Sequence, residues 1–435
     1  MGGAGLFMVG VTGTNGKTSV TQWIAQALAA LGDKCAIVGT LGNGFPGALL
    51  PGPNTTPGAA VLKELMPEFI RRGATACAME VSSIGLHQGR VAGIRFDVAV
   101  FTNFTRDHLD YHGTMDAYAA EKRKLFEMPG LATAVLNLDD PFGVDLAARL
   151  KGRVATIGYT LEAATGTDTV LAAADLVETG SGIAFTLDGV RFTAPVVGRF
   201  NASNLLAVTG ALRAGGRSLA EIAAALARIV APAGRMETLG GAALPLVVVD
   251  YAHSPDALEK VLATLRGTAT AQGGKLVCVF GCGGDRDAGK RPLMGAIAER
   301  LADRVILTSD NPRNEEPRAI IAAIRAGIKS PPRSQNRLAA PTPRGGSIGH
   351  AALGWPGGGM GCAVTVEVDR AAAIRQAIQE ADAHDVILLA GKGHEPYQEI
   401  AGVRLPFSDR AIAKSALAGR RAAPPSDASG EPAQC

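Results

Sequence analysis

Nowhere in its 435 residues does the sequence hold an apolar run approaching the roughly 20 residues that a membrane-spanning helix needs. The amino-terminal stretch MGGAGLFMVGVTG is apolar, but it lacks a basic segment and runs straight into a glycine loop, so it is not expected to be a secretion signal. Leu6 stands where a myristoylation signal needs Ser or Thr. Paired cysteines are lacking too. The six, at 35, 77, 278, 282, 362 and 435, are scattered. Cys278 and Cys282 form the one close pair, and no second pair or histidine cluster completes a zinc site. Reduced thiols and a cytoplasmic location are the expectation. Excess charge of either sign is missing as well. A formal net charge of +3 argues for neither nucleic acid nor a membrane surface. There is no internal repeat. A hydrophobic fraction of 47% and a charged fraction of 19% describe an ordinary globular chain, long enough for two or three domains.

What is there is an alternation. Strand-like runs (LFMVGV, CAIVGT, TACAMEV, FDVAVFT, TAVLN) are interleaved with helical stretches at 17–31, 58–72 and 114–127. Such interleaving predicts βαβ units and a parallel sheet. Between 167 and 198 the texture changes to short alternating segments with turns at TGSG and LDG, which predicts a small antiparallel insertion. Helices are expected near 201–215 and 218–229, and APAGRME (231–237) reads as a linker. A second alternating series follows: LPLVVVD, KLVCVFG, RVILTS, AVTVEV, DVILLAG. The expected domains are therefore 1–232 and 233–420. Residues 330–361 are rich in Pro and Gly without periodicity and read as a disordered insertion, and 421–435 as a disordered tail.

GVTGTNGKTS (10–19) joins a strand to a helix, the setting in which backbone N–H groups and a helix amino terminus face a phosphate. The long Walker spacing would need glycine where Val11 stands, so the motif is the shorter Gly13-Thr14-Asn15-Gly16-Lys17-Thr18-Ser19. Lys17 supplies a point charge and the Thr18 hydroxyl can reach Mg²⁺. Glu80 ends the strand-like run TACAMEV and His108 follows FDVAVFT, so both belong at strand ends on the side of the phosphate loop. A carboxylate and an imidazole there suit Mg²⁺ on a triphosphate. The alternative is a polar loop with no ligand. DNPRNEEP (310–317) likewise follows RVILTS, at the end of a strand where open α/β sheets bind ligands.

GTNGKT, EVSS, TRDHLDYHG, YAAEK, DYAHSPDAL, GCGGDRDAGKRPLMG, DNPR and GKGHE, in this order, resemble the Mur ligases from about residue 9 to 418, interrupted by 330–361. The resemblance implies an α/β architecture. A central P-loop ATPase-like domain, with a mostly parallel sheet and a small antiparallel insertion, would precede a Rossmann-like carboxyl-terminal domain. It implies ATP-dependent amide ligation through an acyl phosphate, in the branch that adds meso-diaminopimelate to UDP-N-acetylmuramoyl-L-alanyl-D-glutamate. It carries over Lys17, Glu80, His108 and Lys122 as the catalytic group, with Lys122 a carbamate, and Thr18, Glu80, His108 and Lys122 as holders of Mg²⁺. Asn204, Arg235, Asp250 and His253 join the phosphate loop around ATP. Thr55, Thr56, Ser82, Gln88 and Arg90 meet the muramoyl substrate. Arg286, Asp310, Asn311, Pro312, Arg313, Gly391 and Glu395 hold diaminopimelate, with Arg313 clamping the carboxylate that lysine lacks. Glu315 and Glu316 are expected to favour the next helix's amino terminus. A monomer is expected.

Two departures from the family pattern stand out. Its members carry a front domain for the uridine diphosphate, whereas this chain starts almost at the phosphate loop, so weak hold on that end of the substrate is expected. Ile84 takes the place of the histidine usual after EVSS. Rival readings are a folylpolyglutamate synthetase-like ligase, a lysine-adding Mur ligase, and an inactive nucleotide-binding remnant. The DNPR and GCGGDRD motifs oppose the first, Arg313 the second, and intact Lys17, Glu80, His108 and Lys122 the third.

Overall fold

The computed structural model describes residues 5–179, 182–329 and 362–422. The 330–361 segment lies outside the described residues, as does all of the 421–435 tail except its first two positions, which end the helix Asp409–Ala422. Two compact units are formed, Met1–Glu237 with Asp250–Thr264, and Thr238–Val249 with Leu265–Cys435.

The first unit is built on a nine-stranded sheet in the order Ala48–Leu50, Gly42–Phe45, Cys35–Gly39, Ala76–Glu80, Phe7–Thr12, Val98–Phe101, Thr133–Asn137, Ala155–Thr160, Thr169–Ala172. The two pairings at the Ala48–Leu50 edge are antiparallel and the rest parallel. The central strands are apolar and wholly buried, as a sheet covered on both faces requires. One face packs on helices Lys17–Ala30 and Arg199–Ala214, around Val9, Val11, Trp23, Ile24, Leu205 and Val208. The other carries Met79, Phe96, Phe101, Leu125, Phe126 and Phe142.

This order sets a topological switch point. The chain leaves Phe7–Thr12 for strands on one side of it and later returns to Val98–Phe101 on the other, so the strand order reverses at Phe7–Thr12. Such a switch point opens a cleft beyond the strands' carboxyl ends. The register sets Val11 beside Glu80 and Thr12 beside Phe101, so the phosphate loop, Glu80 and the Thr102–Asn103 turn emerge together.

The insertion expected over 167–198 is smaller than that. Thr169–Ala172 pairs in parallel with Ala155–Thr160 as the sheet's last strand, and only Ala174–Thr179, Gly182–Leu187 and Val190–Ala194 form the antiparallel sheet. A short edge strand and a hairpin strand alternate alike, which is why the pattern merged them. Helix Leu219–Leu226 begins with a full capping box: Ser218 Oγ accepts from Glu221 N and Glu221 Oε2 accepts from Ser218 N. Ser218→Ala should cost about 1 kcal/mol, read as a lower urea midpoint.

The second unit's sheet runs Glu237–Gly240, Leu246–Asp250, Val386–Ala390, Leu276–Phe280, Arg304–Leu307, Ala363–Val366, and the pairings among Val386–Ala390, Leu276–Phe280, Arg304–Leu307 and Ala363–Val366 are parallel. A two-stranded hairpin, Tyr397–Ile400 with Val403–Pro406, stands apart from it. Arg370 and Asp409 form an ion pair with both side chains fully buried. Arg370 Nη2 also donates to the carbonyl of Ala390, fixing the strand end that leads into GKGHE.

Candidate active site

Gly16 caps helix Lys17–Ala30 at φ 87°, in the left-handed region, and a Cβ there would stand 2.5 Å from Asn204 Oδ1. Only glycine meets both demands. No side chain caps this helix and no acidic residue occupies its first turn. Its amides and dipole are therefore left to an anion. The loop is held from behind by Asn103, whose Oδ1 accepts from Asn15 N and whose Nδ2 donates to Asn15 O. Thr14 N donates to Asn103 O, and the buried Tyr118 hydroxyl lies 3.2 Å from Thr14 Oγ1. Nothing local in the sequence marks Asn103 or Tyr118 as reaching a loop 88 and 104 positions earlier.

Thr18 Oγ1 donates to Glu80 Oε2 at 2.9 Å, and Arg235 Nη2 reaches the same hydroxyl at 3.2 Å. Glu80 is buried and also accepts from the Thr40 amide and hydroxyl. Thr18, Glu80 and Arg235 are thus together. Lys17 Nζ folds back onto the carbonyls of Gly13 and Thr14, and Lys122 Nζ donates to the same Gly13 carbonyl at 2.8 Å. Lys122 is 1% exposed and lies over the Tyr118 ring. Burial, with Lys17 adding to it, holds the Lys122 amine well below the usual lysine range, while Asp107 pulls the other way. Lys17 is lowered too, chiefly by burial.

His108 adopts φ 53° and faces Asp107, with Nε2 3.6 Å from Oδ2, and His253 Nε2 lies 3.5 Å from the same oxygen. Burial, against the opposing pull of Asp107, brings His108 down to about 4, so its imidazole is neutral at pH 7. Among the described residues no three His, Cys, Asp or Glu side chains stand close enough to hold a metal by themselves. The donor set still fits Mg²⁺. The ion takes hard oxygen ligands, keeps several waters and shares phosphate oxygens, so the adjacent Thr18 hydroxyl and Glu80 carboxylate suffice as protein anchors. Asp250 spends its carboxylate on the amides of Met236 and Ala252, which fixes the turns bearing Arg235 and His253.

Of the residues assigned to the muramoyl substrate, Thr56 is fully buried and holds Ser82 N and Glu80 O through its hydroxyl. Ser82 caps helix Ser83–His87, and Thr55 accepts from Thr40. Gln88 is exposed: its Oε1 receives Arg90 Nε and Nη2, and its Nε2 donates to Tyr111. Ile84 is half-buried.

In the second unit, Asn311 Nδ2 donates to Glu395 Oε2, and Lys392 Nζ reaches both Asn311 Oδ1 and Glu395 Oε2. Glu395 thus already has a cationic partner. Lys392, fully buried, is a site residue the sequence reading quoted within GKGHE but did not single out. Gly391 sits at φ 109°, where a Cβ would meet Asp310 Oδ2 at 2.4 Å. Arg313 is half-buried and its Nη1 donates to the carbonyl of Gly284. Pro312 is buried, and Arg286 is exposed beside Asp285. The two glutamates after the motif divide their work. Glu316 caps helix Pro317–Arg325, whereas Glu315 binds Arg291 in a fork and takes the Asp285 amide, tying this loop to GGDRD.

Residues 11–212 match the model of the Mur ligase middle domain, and 234–393 that of the Mur ligase, glutamate ligase domain. A UDP-N-acetylmuramoyl-L-alanyl-D-glutamate--2,6-diaminopimelate ligase of Pseudomonas aeruginosa is 51% identical over 95% of this chain and 78% of its own. One from Chromobacterium violaceum is 49% identical, over 95% and 77%. A solved structure of a ligase of that name has TM-score 0.63 at 37% identity, covering 96% of this chain and 80% of that one. Folylpolyglutamate synthase from Mycobacterium tuberculosis, with ADP and AMPPCP, shares the fold: TM-score 0.63, 18% identity, 89% and 88% coverage.

Proposed function

The chain belongs to the Mur ligase family, and from that premise we propose that it joins meso-diaminopimelate to UDP-N-acetylmuramoyl-L-alanyl-D-glutamate at the expense of ATP, in peptidoglycan synthesis. It is an ATP-dependent amide ligase. The observation that carries the substrate assignment is the run of about 50% identity to ligases of that name along 95% of the chain.

A carboxylate does not acylate an amine in water, because its leaving group is too poor. The substrate's glutamyl carboxylate oxygen attacks the γ-phosphorus of ATP, and ADP departs. The diaminopimelate amine then attacks the acyl carbon, phosphate leaves, and the amine loses a proton. The protein supplies placement and charge neutralisation. The first-turn amides of helix Lys17–Ala30 receive phosphate oxygens, and Lys17 turns from the Gly13 and Thr14 carbonyls toward them. Asn204 sits against Gly16, and Arg235 beside Thr18. Thr18 and Glu80 would hold Mg²⁺, with His108 and a carbamate on Lys122 as its further ligands. Mg²⁺, when bound, would supply positive charge against the negative charge that develops on the phosphates.

Lys122 is suited to carbamate formation by its surroundings. A neutral amine is the form that adds CO₂, giving a carbamate anion and one proton, and burial beside Lys17 favours that form. The anion then faces the Lys17 cation. Thr55, Thr56, Ser82, Gln88 and Arg90 line the muramoyl end, with Gln88 and Arg90 as the accessible contacts. Arg286, Asn311, Arg313 and Glu395 hold diaminopimelate, on a loop set by Asp310, Pro312 and Gly391. The same reading takes the enzyme as a cytoplasmic monomer. Among the described residues no helix is long and apolar enough to cross a membrane.

Purified protein with ATP, Mg²⁺, the UDP-linked dipeptide and diaminopimelate should release one ADP per tripeptide product, identified by mass. ATP hydrolysis without tripeptide, or glutamate added to a folate instead, would overturn the assignment.

A further inference from the structure

Arg313 holds φ 50°, a left-handed conformation that a non-glycine side chain adopts at a cost and that persists only where its surroundings enforce it. The enforcing element is the hairpin of Tyr397–Ile400 and Val403–Pro406. Arg313 N donates to Glu399 O at 3.0 Å, and Ala401 N donates to Arg313 O at 2.7 Å. Together these bonds flank Ile400 in a one-residue parallel bridge. Two more bonds secure the residues just before: Gln398 Nε2 to Asp310 O at 2.7 Å, and Glu399 N to Asn311 Oδ1 at 2.9 Å.

The support runs both ways. A lone two-stranded hairpin is marginal in water, and this one carries exposed Ile400, Val403 and Leu405 and turns through Ala401 at φ 48° and Gly402 at φ 77°. Both positions of such a turn need positive φ, which alanine meets at a cost. In a free hairpin the Ala401 N–H would face water; here it is captured by Arg313.

We propose that this hairpin is the brace of the amino-acid selector, with Gln398 as the positioning residue that aims Arg313. It rests on the reading of Arg313 as the group that grips diaminopimelate's second carboxylate. Gln398 is half-buried and its amide is the one side-chain donor from the hairpin to the backbone of the Asp310–Arg313 loop among the hydrogen bonds described. Without that donor one of the four hairpin–loop bonds is gone, so the strained residue is held less firmly and the direction of the guanidinium is less fixed.

Gln398→Met keeps side-chain length and removes the donor. It should lower the ratio of kcat/KM for diaminopimelate over lysine by up to about tenfold, the upper end of what one neutral hydrogen bond contributes. The fall should come through KM for diaminopimelate, with KM for ATP and lysine ligation unchanged. Gln398→Ala serves as a second variant, and thermal melting confirms that each is folded. An unchanged ratio in a folded variant, or equal losses for both amino acids, overturns the brace. Arg313→Ala runs alongside. If it collapses the ratio while the Gln398 variants do not, the brace fails and the Arg313 reading stands. If Arg313→Ala leaves the ratio intact, both fail together.

Discussion

Lys122→Ala should abolish ligation while leaving nucleotide binding within about tenfold of the parent. Its amine is buried against the Gly13 carbonyl and the Tyr118 ring, with Lys17 beside it. A permanent ammonium there would be costly, since burial disfavours charge and a second cation repels it. Conversion to a carbamate would reverse the sign of the group, so that Lys17 would become its partner and Mg²⁺ would gain an anionic ligand. Losing that ligand removes charge stabilisation at the transferring phosphoryl group, and a fall in kcat of about 10³-fold or more is expected. Nucleotide contacts along residues 13–19 remain, so binding survives.

Lys122→Arg separates this account from a simpler one. Arginine keeps a cation at the site and forms no carbamate. If Lys122 acted only as a positive charge on phosphate, the arginine variant would retain most activity; the carbamate requires it to be as dead as alanine. Wild-type protein stripped of CO₂ should recover with bicarbonate, and neither variant should respond. Full activity in Lys122→Ala, or an active Lys122→Arg, would sink the idea.

The legible parts of this protein are those whose chemistry is local. Gly13–Thr18 and Glu80 could be placed from a strand followed by a glycine turn and from an apolar run ending in a carboxylate, because the strand-end rule needs no partner to be known. Helix Pro141–Leu150 carries equally local signals, with Asp140 as cap and Pro141 in its first turn. The strands Gly42–Phe45 and Ala48–Leu50 were illegible for a reason: LGNGFPGALL lacks the β-branched residues that mark a strand, and pairing with Cys35–Gly39 makes it one. Asn103, Lys392 and Gln398 depend on contacts across about 80 to 90 positions. A single sequence shows the residues without showing that they meet. Glu315 illustrates the limit most directly. Helix-dipole logic assigned it to the helix start with Glu316, and a distant Arg291 claimed it instead.

Arg313→Ala should then cost about 2–4 kcal/mol of transition-state binding for diaminopimelate, the range for removing one partner of a buried, hydrogen-bonded charge pair. That figure is a drop in kcat/KM of roughly 30- to 1000-fold. Lysine offers no carboxylate at that end, so its kcat/KM should change far less, and the alanine variant should lose most of its preference. The asymmetry follows from what a mismatch leaves behind. In the parent, lysine would strand a half-buried guanidinium whose hydrogen bond among the described residues goes to the Gly284 carbonyl, and a cation left without its carboxylate would discriminate against lysine. Removing the guanidinium deletes the penalty against lysine together with the reward for diaminopimelate. Arg313→Lys probes geometry as well as charge. An ammonium restores the cation without the planar fork that binds both carboxylate oxygens, so it should recover only part of the loss. Steady-state rates with each amino acid at saturating ATP and dipeptide measure all three proteins. Equal losses for diaminopimelate and lysine in Arg313→Ala would show that Arg313 supports the loop without touching the substrate.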